Sequence, residues 1–168
     1  MILYQVSYRI FNIGDKLIAT TTTPYFLQKQ QSGDEWVDTI LNSYKPINTP
    51  DREFTFFACD AVENCYAFIA DKIGVLGNPI YYKIEMQEPV KAVMCITDLI
   101  LKSGAADINI PDYASEYWTP TLELKYFEYL ANEMEIIEIV NGPDVILKNK
   151  GKNNYMLDRE LRKRTFVK

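Results

Sequence analysis

The chain has 168 residues, of which 48% are hydrophobic and 13% aromatic, and it carries a formal net charge of −5. It contains no histidine, which excludes Ser-His-Asp and Cys-His catalysis and the usual zinc sites. The length and apolar content predict one globular domain with a buried core. The absence of a run of about 18 apolar residues predicts that no segment spans a membrane.

The first residues, MILYQVSYRIF, lack the basic region of a signal peptide, so we expect a cytoplasmic protein. Cys59, Cys65 and Cys95 are an odd number without metal-ligand spacing, and two of them fall on apparent core faces, which predicts reduced, buried thiols and no metal site. Carboxylates, lysine, tyrosine and backbone amides remain for any chemistry.

Charge is distributed unevenly along the chain. Residues 148–168 hold eight Lys/Arg against Asp158 and Glu160, a net charge of +6, so the rest of the chain carries −11. An acidic body argues against nucleic-acid binding through the main domain. We therefore divide the chain into a folded domain, residues 1–148, and a basic C-terminal tail or helix, residues 149–168. Such a tail is more often a solvated terminal helix than a nucleic-acid site.

Alternation of apolar and polar residues predicts a strand over residues 2–11. One face of this strand carries Gln5, Ser7 and Arg9, a polar row that forms either a solvent face or the floor of a cleft. The elements predicted next are a strand over residues 16–23, a helix over residues 34–44 and a short aromatic strand over residues 54–58.

The aromatic strand runs directly into the clearest helical pattern of the chain. An apolar stripe at helical spacing follows Asp60, which we expect to cap the helix, and Gly74 is a natural stop. The stripe consists of Val62, Cys65, Tyr66 and Ile69. A strand-to-helix junction presents backbone amides that suit an anion such as a pyrophosphate, although ordinary packing of a helix on a sheet explains the same pattern.

The second half of the domain mixes strands and helices without a regular alternation. Predicted in order are strands over residues 80–86 and 91–96, a short helix from Thr97 or Asp98 to Gly104, an irregular loop over residues 105–118, a helix from Thr119-Pro120 with Leu122, Tyr126, Phe127 and Leu130 on its apolar side, and strands over residues 134–140 and 144–148. This order predicts an α+β fold with two small packed, mostly antiparallel sheets that form a cleft, with flanking helices.

Two glutamates open the strand MEIIEIV. Residues two apart in an extended chain share a face, so Glu133 and Glu135 point the same way, about 6–7 Å apart. Ile137 and Ile139 continue that face, which places Glu135 where a core-directed face reaches the rim of the sheet. A carboxylate there is both partly desolvated and accessible, as catalysis requires, although two glutamates at a strand start are more often surface residues.

The order of LYQVS in a first strand, FTFFACDAVENCYAFI, IYYKIEM and a late E-x-E resembles the mono-ADP-ribosyltransferase fold. More narrowly, LYQVSYRIFNIGDKLIA, DREFTFFACDAVENCYAF and the Tyr117-Trp118 pair look like a small bacterial and phage family related to those transferases. Gln5 stands where the transferases have Arg or His, and Ala58-Cys59-Asp60 stands where they have a Ser-Thr-Ser motif. Glu135 keeps the position of the catalytic glutamate.

The resemblance implies transfer of ADP-ribose from NAD to a macromolecule, a protein rather than a nucleic acid, with loss of nicotinamide. Glu135 would stabilise the ribosyl cation, and Glu133 would position or deprotonate the acceptor. The implied NAD contacts are Tyr66 or Phe57 packing on nicotinamide, Gln5 and Ser7 holding its ribose or amide, and Arg9 or Arg52 replacing the missing charge at the pyrophosphate. The reaction needs neither imidazole nor metal, and a phage-encoded enzyme would act in the host cytoplasm.

Three functional hypotheses follow. The first is the active NAD-dependent transferase, in which Gln5 and Ser7 face the same cleft as Tyr66. The second is a transferase-like domain without activity that binds NAD, an ADP-ribosylated target or a protein, acting on host or defence factors if phage-encoded. The third is an unrelated interaction protein, with exposed aromatic residues of the loop over residues 107–118 and the basic tail as contact surfaces. For Arg52 the alternative to a pyrophosphate contact is a surface ion pair with Asp51 or Glu53, and the carboxylates that compete with Glu135 are Glu116 and Glu123.

Overall fold

A computed structural model describes residues 1–69, 78–121 and 127–143, and only the backbone of residues 66–69. This part of the chain contains seven strands and five α-helices. The strands are β1 (Ile2–Ser7), β2 (Lys16–Ile18), β3 (Phe56–Ala58), β4 (Ile80–Glu85), β5 (Val90–Val93), β6 (Phe127–Ala131) and β7 (Glu133–Val140). The helices are α1 (Pro24–Ser32), α2 (Glu35–Ser43), α3 (Val62–Ile69), α4 (Ile96–Ser103) and α5 (Ile110–Trp118).

The strands form two antiparallel sheets. Four strands pair in the order β1-β4-β7-β2 and three in the order β3-β6-β5. A single bridge between Tyr4 and Cys59 joins the edge of β1 to the chain just after β3. The prediction of an α+β fold with two small antiparallel sheets is confirmed.

The two sheets pack face to face through an apolar layer. The four-stranded sheet contributes Leu3, Tyr82, Ile84, Met134 and Ile136, and the three-stranded sheet contributes Ala58, Tyr129 and Ala131. Successive strand residues point to opposite faces, so Phe57 and Leu130 lie on the other face of the three-stranded sheet. There they join a cluster that α2, α4 and α5 complete. The resulting order of layers is helices, three-stranded sheet, four-stranded sheet.

Helix α3 lies on the remaining face of the molecule. Its residues Val62 and Cys65 pack with Tyr4, Val6 and Tyr81 of the four-stranded sheet. Val62 and Cys65 thus lie on the packed side that the apolar spacing predicts. The helix begins at Val62, so Ala61 occupies the cap position that we expected for Asp60, whose carboxylate instead accepts a 2.8 Å hydrogen bond from the side chain of Asn64.

Helix α5 corrects the prediction of an irregular loop over residues 105–118. Pro111 stands in its first turn, where the missing amide hydrogen costs nothing and the fixed φ suits a helix. Four of its side chains, Tyr113, Ala114, Tyr117 and Trp118, are buried against the helical cluster. The indole Nε1 of Trp118 donates a 2.7 Å hydrogen bond to the carbonyl of Leu41 at the end of α2, which fixes α5 against α2.

Other predicted boundaries also shift. The helix expected after Thr119-Pro120 is wrong for residues 127–130, which belong to β6, and residues 122–126 lie outside the described part. The predicted strands over residues 2–11, 16–23, 54–58 and 91–96 are shorter, and α4 begins at Ile96 instead of Thr97 or Asp98. The helix over residues 34–44, the strands over residues 80–86 and 134–140 and the helix end at Gly104 are confirmed to within a residue. The predicted helix stop at Gly74, the strand over residues 144–148 and the basic tail lie outside the described residues.

Within the described ranges, none of the helices has the length and hydrophobicity that crossing a membrane requires.

Tyr82 stabilises the segment that follows β1 through two hydrogen bonds to its backbone. Its hydroxyl donates a 3.0 Å hydrogen bond to the carbonyl of Arg9 and accepts a 3.1 Å bond from the amide of Phe11. We expect Tyr82→Phe to lower the free energy of unfolding by about 1–2 kcal/mol, because both backbone groups lose their partner. Urea unfolding of this variant beside Tyr44→Phe, at a half-exposed position, measures the difference. Equal losses in the two variants would contradict the assignment.

Candidate functional site

The open face of the four-stranded sheet is the surface that carries Glu133 and Glu135. Strand register places Glu135 between Lys16 of β2 and Glu85 of β4. Glu133 lies opposite Ile18 on the same face. Helix α3 covers the other end of this face. The charged row of Lys16, Glu85, Glu133 and Glu135 therefore lies beside a helix and is open to solvent.

Two carboxylates meet in this row. Glu85 and Glu135 are directly opposite on paired strands, an arrangement that brings Cβ atoms to about 4.5–5.5 Å and is unfavourable for like charges. Lys16 offsets it, since its Nζ lies 3.4 Å from Oε2 of Glu135. The Glu135 side chain retains 35% of its exposure, so its carboxylate is accessible to a ligand while it is held by a lysine.

The face on which Glu135 lies differs from the prediction. Met134 and Ile136 point into the layer between the sheets, so the core-directed face of β7 is the one that Glu133 and Glu135 do not share. A bulge then inserts Ile137, because Lys83 pairs with Glu138 whereas the next residue of β4, Ile84, pairs with Ile136. Ile139 consequently lies on the opposite face from Glu135, and Glu138 takes its place beside the two glutamates.

Gln5 and Ser7 lie on the face of β1 that turns toward the three-stranded sheet. Gln5 pairs with Tyr82, whose side chain is in the layer between the sheets. The Oγ of Ser7 accepts a 3.0 Å hydrogen bond from the amide of Arg9, an exposed residue beyond the strand end. Tyr4 and Val6, on the other face of β1, contact α3. The structure therefore does not bring Gln5 and Ser7 to the face shared by α3 and Glu135, which corrects that expectation.

The two aromatic candidates are separated as well. Phe57 points into the helical cluster, with its ring centroid 4.7 Å from that of Tyr25. Tyr66 belongs to α3, on the opposite side of the molecule, and its side chain lies outside the described residues. Phe57 is thus buried in the helical layer, and the nicotinamide contact predicted for Tyr66 concerns a side chain outside the described residues.

Arg52 is fully buried, so both predictions for this residue, a pyrophosphate contact and a surface ion pair, are wrong. Its Nε donates to Asp38 of α2, and its Nη1 donates a 2.9 Å bond to Glu128 of β6. The guanidinium carbon lies 4.8 Å from the ring centroid of Phe57 and 5.0 Å from that of Tyr117. With no exposed surface, Arg52 is available neither to a pyrophosphate nor to a surface pair, and Asp51 instead pairs with Lys45.

The cluster of Arg52, Asp38, Glu128 and Tyr117 contains two carboxylates for one guanidinium. Burial raises the pKa of the Glu128 carboxyl to about 7, against the opposing effect of Arg52. Burial by itself disfavours the guanidinium charge, but the carboxylates of Glu128 and Asp38 raise the pKa of Arg52. The hydroxyl of Tyr117 donates to the same Glu128 oxygen that Arg52 contacts. Two helices, a strand and the turn before β3 meet at these charges.

The sequence patterns do not identify Glu85, Asp38 or Glu128 as site residues. Glu85 had a signal, because the alternation of IYYKIEM places Lys83 and Glu85 on one face. Asp38 lies one turn before Leu41 on the buried side of α2, and Glu128 is the single charge in the apolar run YFEYLA. A charge inside an apolar run indicates either a bulge to solvent or a buried ion pair, and the run alone does not decide between them.

Metal ligation receives no support from the described residues, which contain no group of three or more Cys, Asp or Glu side chains placed to hold an ion. Cys59 and Cys65 are buried free thiols, and burial raises the pKa of Cys59. Neither protein-family models nor curated protein sequences give a match to the chain.

We predict that Arg52→Met lowers the free energy of unfolding by about 3–5 kcal/mol near pH 8, because two buried carboxylates lose the guanidinium that pairs with them. Lys83→Met is the matched control, since Lys83 pairs with Glu138 at the surface at 3.6 Å and such pairs contribute less than about 1 kcal/mol. Chemical unfolding of the two variants gives both values. A loss for Arg52→Met as small as that of the control would contradict the buried ion pair.

Proposed function

We propose that the protein is an NAD-dependent mono-ADP-ribosyltransferase that transfers ADP-ribose to a macromolecular acceptor, with Glu135 as its catalytic carboxylate. The observation that carries the proposal is the position of Glu135. It is half-exposed, held by Lys16 at 3.4 Å, and lies in a strand that opens with E-x-E. The α+β order of strands supports the same proposal through the resemblance described above.

The proposed reaction requires a carboxylate that is placed close to the ribose. The bond between C1′ of the ribose and the nicotinamide nitrogen breaks, and its electron pair leaves with nicotinamide. The ribose then carries positive charge, as in glycoside cleavage, and a nearby carboxylate lowers the energy of that state. The acceptor atom bonds to C1′ and gives up its proton, for which Glu133 and Glu85 are the neighbouring carboxylates.

Because Arg52 is buried, we assign its role in the proposed NAD site to another cation. Lys16 is the cation beside Glu135, with a largely exposed side chain, and it takes the role at the pyrophosphate that Arg52 cannot fill. Arg9 is exposed and remains a second candidate. We place the reaction in the cytoplasm, of the host if the protein is phage-encoded, with a protein as acceptor, because the acidic body disfavours nucleic acid.

A second function has an observation of its own. Gln5 and Ser7 lie on the opposite face of the sheet from Glu135, and Arg52 is buried. The NAD contacts that the resemblance implies are therefore not gathered around the glutamate. This separation favours a transferase-like protein that binds NAD or an ADP-ribosylated target and has no turnover.

Nicotinamide release from NAD, measured by chromatography with host-cell extract as acceptor source, tests the proposal. We expect Glu135→Gln to reduce the rate about 10²- to 10³-fold while NAD affinity changes little, because the carboxylate acts on charge that develops in the transition state. Glu138→Gln is the control, since Glu138 lies on the same strand and face and also pairs with a lysine, Lys83. We expect it to keep the wild-type rate.

The outcomes separate the two functions. Equal rates in Glu135→Gln and Glu138→Gln would remove Glu135 from the reaction, and Glu116→Gln and Glu123→Gln would then be compared. Saturable NAD binding by calorimetry without nicotinamide release would select the binding function. Absence of both binding and release would reject the transferase and the NAD-binding reading together.

A further inference from the structure

The buried cluster around Arg52 has an imbalance of charge that the proposed function does not use. The carboxylates of Asp38 and Glu128 and the guanidinium of Arg52 are each almost fully inaccessible to solvent. With both carboxylates ionised, the cluster holds a net negative charge where water cannot stabilise it. One proton on a carboxylate restores neutrality, and the geometry decides which carboxylate receives it.

Glu128 is the better site for that proton. Asp38 accepts a hydrogen bond from Arg52 Nε. Glu128 shares a single oxygen, Oε1, between Arg52 Nη1 and the hydroxyl of Tyr117. A proton on the other oxygen of Glu128 leaves both of these contacts in place.

The surroundings of Glu128 contain more acidic than basic groups. The ionisable groups that act on the cluster from the neighbouring elements are Tyr25 and Lys29 of α1, Asp38 of α2, Arg52 of the turn before β3, Cys59 after β3, Asp98 of α4 and Tyr117 of α5. Asp38 and Asp98 disfavour a second negative charge, and Arg52 and Lys29 favour it. Burial also disfavours the negative charge of Glu128 and is the largest of these effects, so together they favour the protonated carboxyl.

We propose that Glu128 is a proton switch that sets how tightly helices α2 and α5 are held on the three-stranded sheet. When Glu128 holds its proton, the cluster is neutral and joins α2, α5, β6 and the turn at Arg52. When Glu128 loses it, the buried excess of negative charge weakens the same joint. The switch operates near neutral pH and is independent of the activity proposed for Glu135.

The sign of the pH dependence follows from the raised pKa of Glu128 in the folded protein. The folded state holds this proton more tightly than the unfolded chain does, so its contribution to stability is complete below the ordinary glutamate pKa of about 4.5 and is lost as pH rises through about 7. Glu128→Gln keeps the shape and a neutral group at every pH. The variant should therefore lack this loss.

Urea unfolding of the full chain from about pH 5 to about pH 9 tests the switch. We expect the unfolding constant of the wild type, divided by that of Glu128→Gln, to rise about 100-fold over this range, which is about 3 kcal/mol at 1.36 kcal/mol per tenfold change. Glu138→Gln, at an exposed position of β7, should change with pH as the wild type does. A ratio that stays constant with pH would overturn the proposal.

Two measurements on the folded protein complete the test. Carbon-13 NMR of the Glu128 carboxyl should show a midpoint near pH 7, and a midpoint at the ordinary glutamate value of about 4.5 would overturn the proposal even if the variant does not fold. Hydrogen exchange should accelerate with pH more in α2 and α5 than in β1 and β4, after correction for intrinsic rates. A uniform change would show that Glu128 titrates without acting on the helical layer, which overturns the switch.

Discussion

The ion cluster of Arg52 is the constraint on which the helical layer depends. An apolar interface between helices and a sheet tolerates small displacements, because the hydrophobic effect is not directional. A buried guanidinium does not, because each carboxylate that leaves it remains unpaired in a medium that solvates charge poorly. Asp38 and Glu128 therefore fix one position of α2 on β6. The backbone amide of Arg52, which donates to the side chain of Asn42 at 2.9 Å, adds a second attachment to the same helix.

The four-stranded sheet makes a different use of charge. Its inner face is apolar and packed, so the charges of its outer face can vary without disturbing the fold. Glu135, Glu85 and Lys16 lie there, where solvent screens the repulsion between carboxylates. The molecule thus separates a charge cluster that determines structure from a charged surface that is available for chemistry. The proposed transfer reaction concerns the charged surface, whereas Arg52 belongs to the buried cluster.

Periodicity predicts the elements whose environment is one-sided. Helix α2 follows its sequence pattern closely, because it has one buried face. The sequence pattern does not identify helix α5, because the burial of Tyr117 and Trp118 depends on distant elements. The partners of Arg52 lie 14 and 76 residues away, and pattern within a short window contains no information about them. The predicted face of Glu135 is wrong for the same reason, because pairing with β4 decides which side of β7 is buried.

A single residue, Asn132, separates β6 from β7, so one stretch of chain enters both sheets. Each of these strands is central in its sheet: β6 lies between β3 and β5, and β7 lies between β4 and β2. During synthesis, β2 and β5 consequently have no sheet partner until residues 127–140 have left the ribosome. Folding must close long loops before either sheet is complete, which makes it slow and leaves strand edges exposed to association with other chains meanwhile.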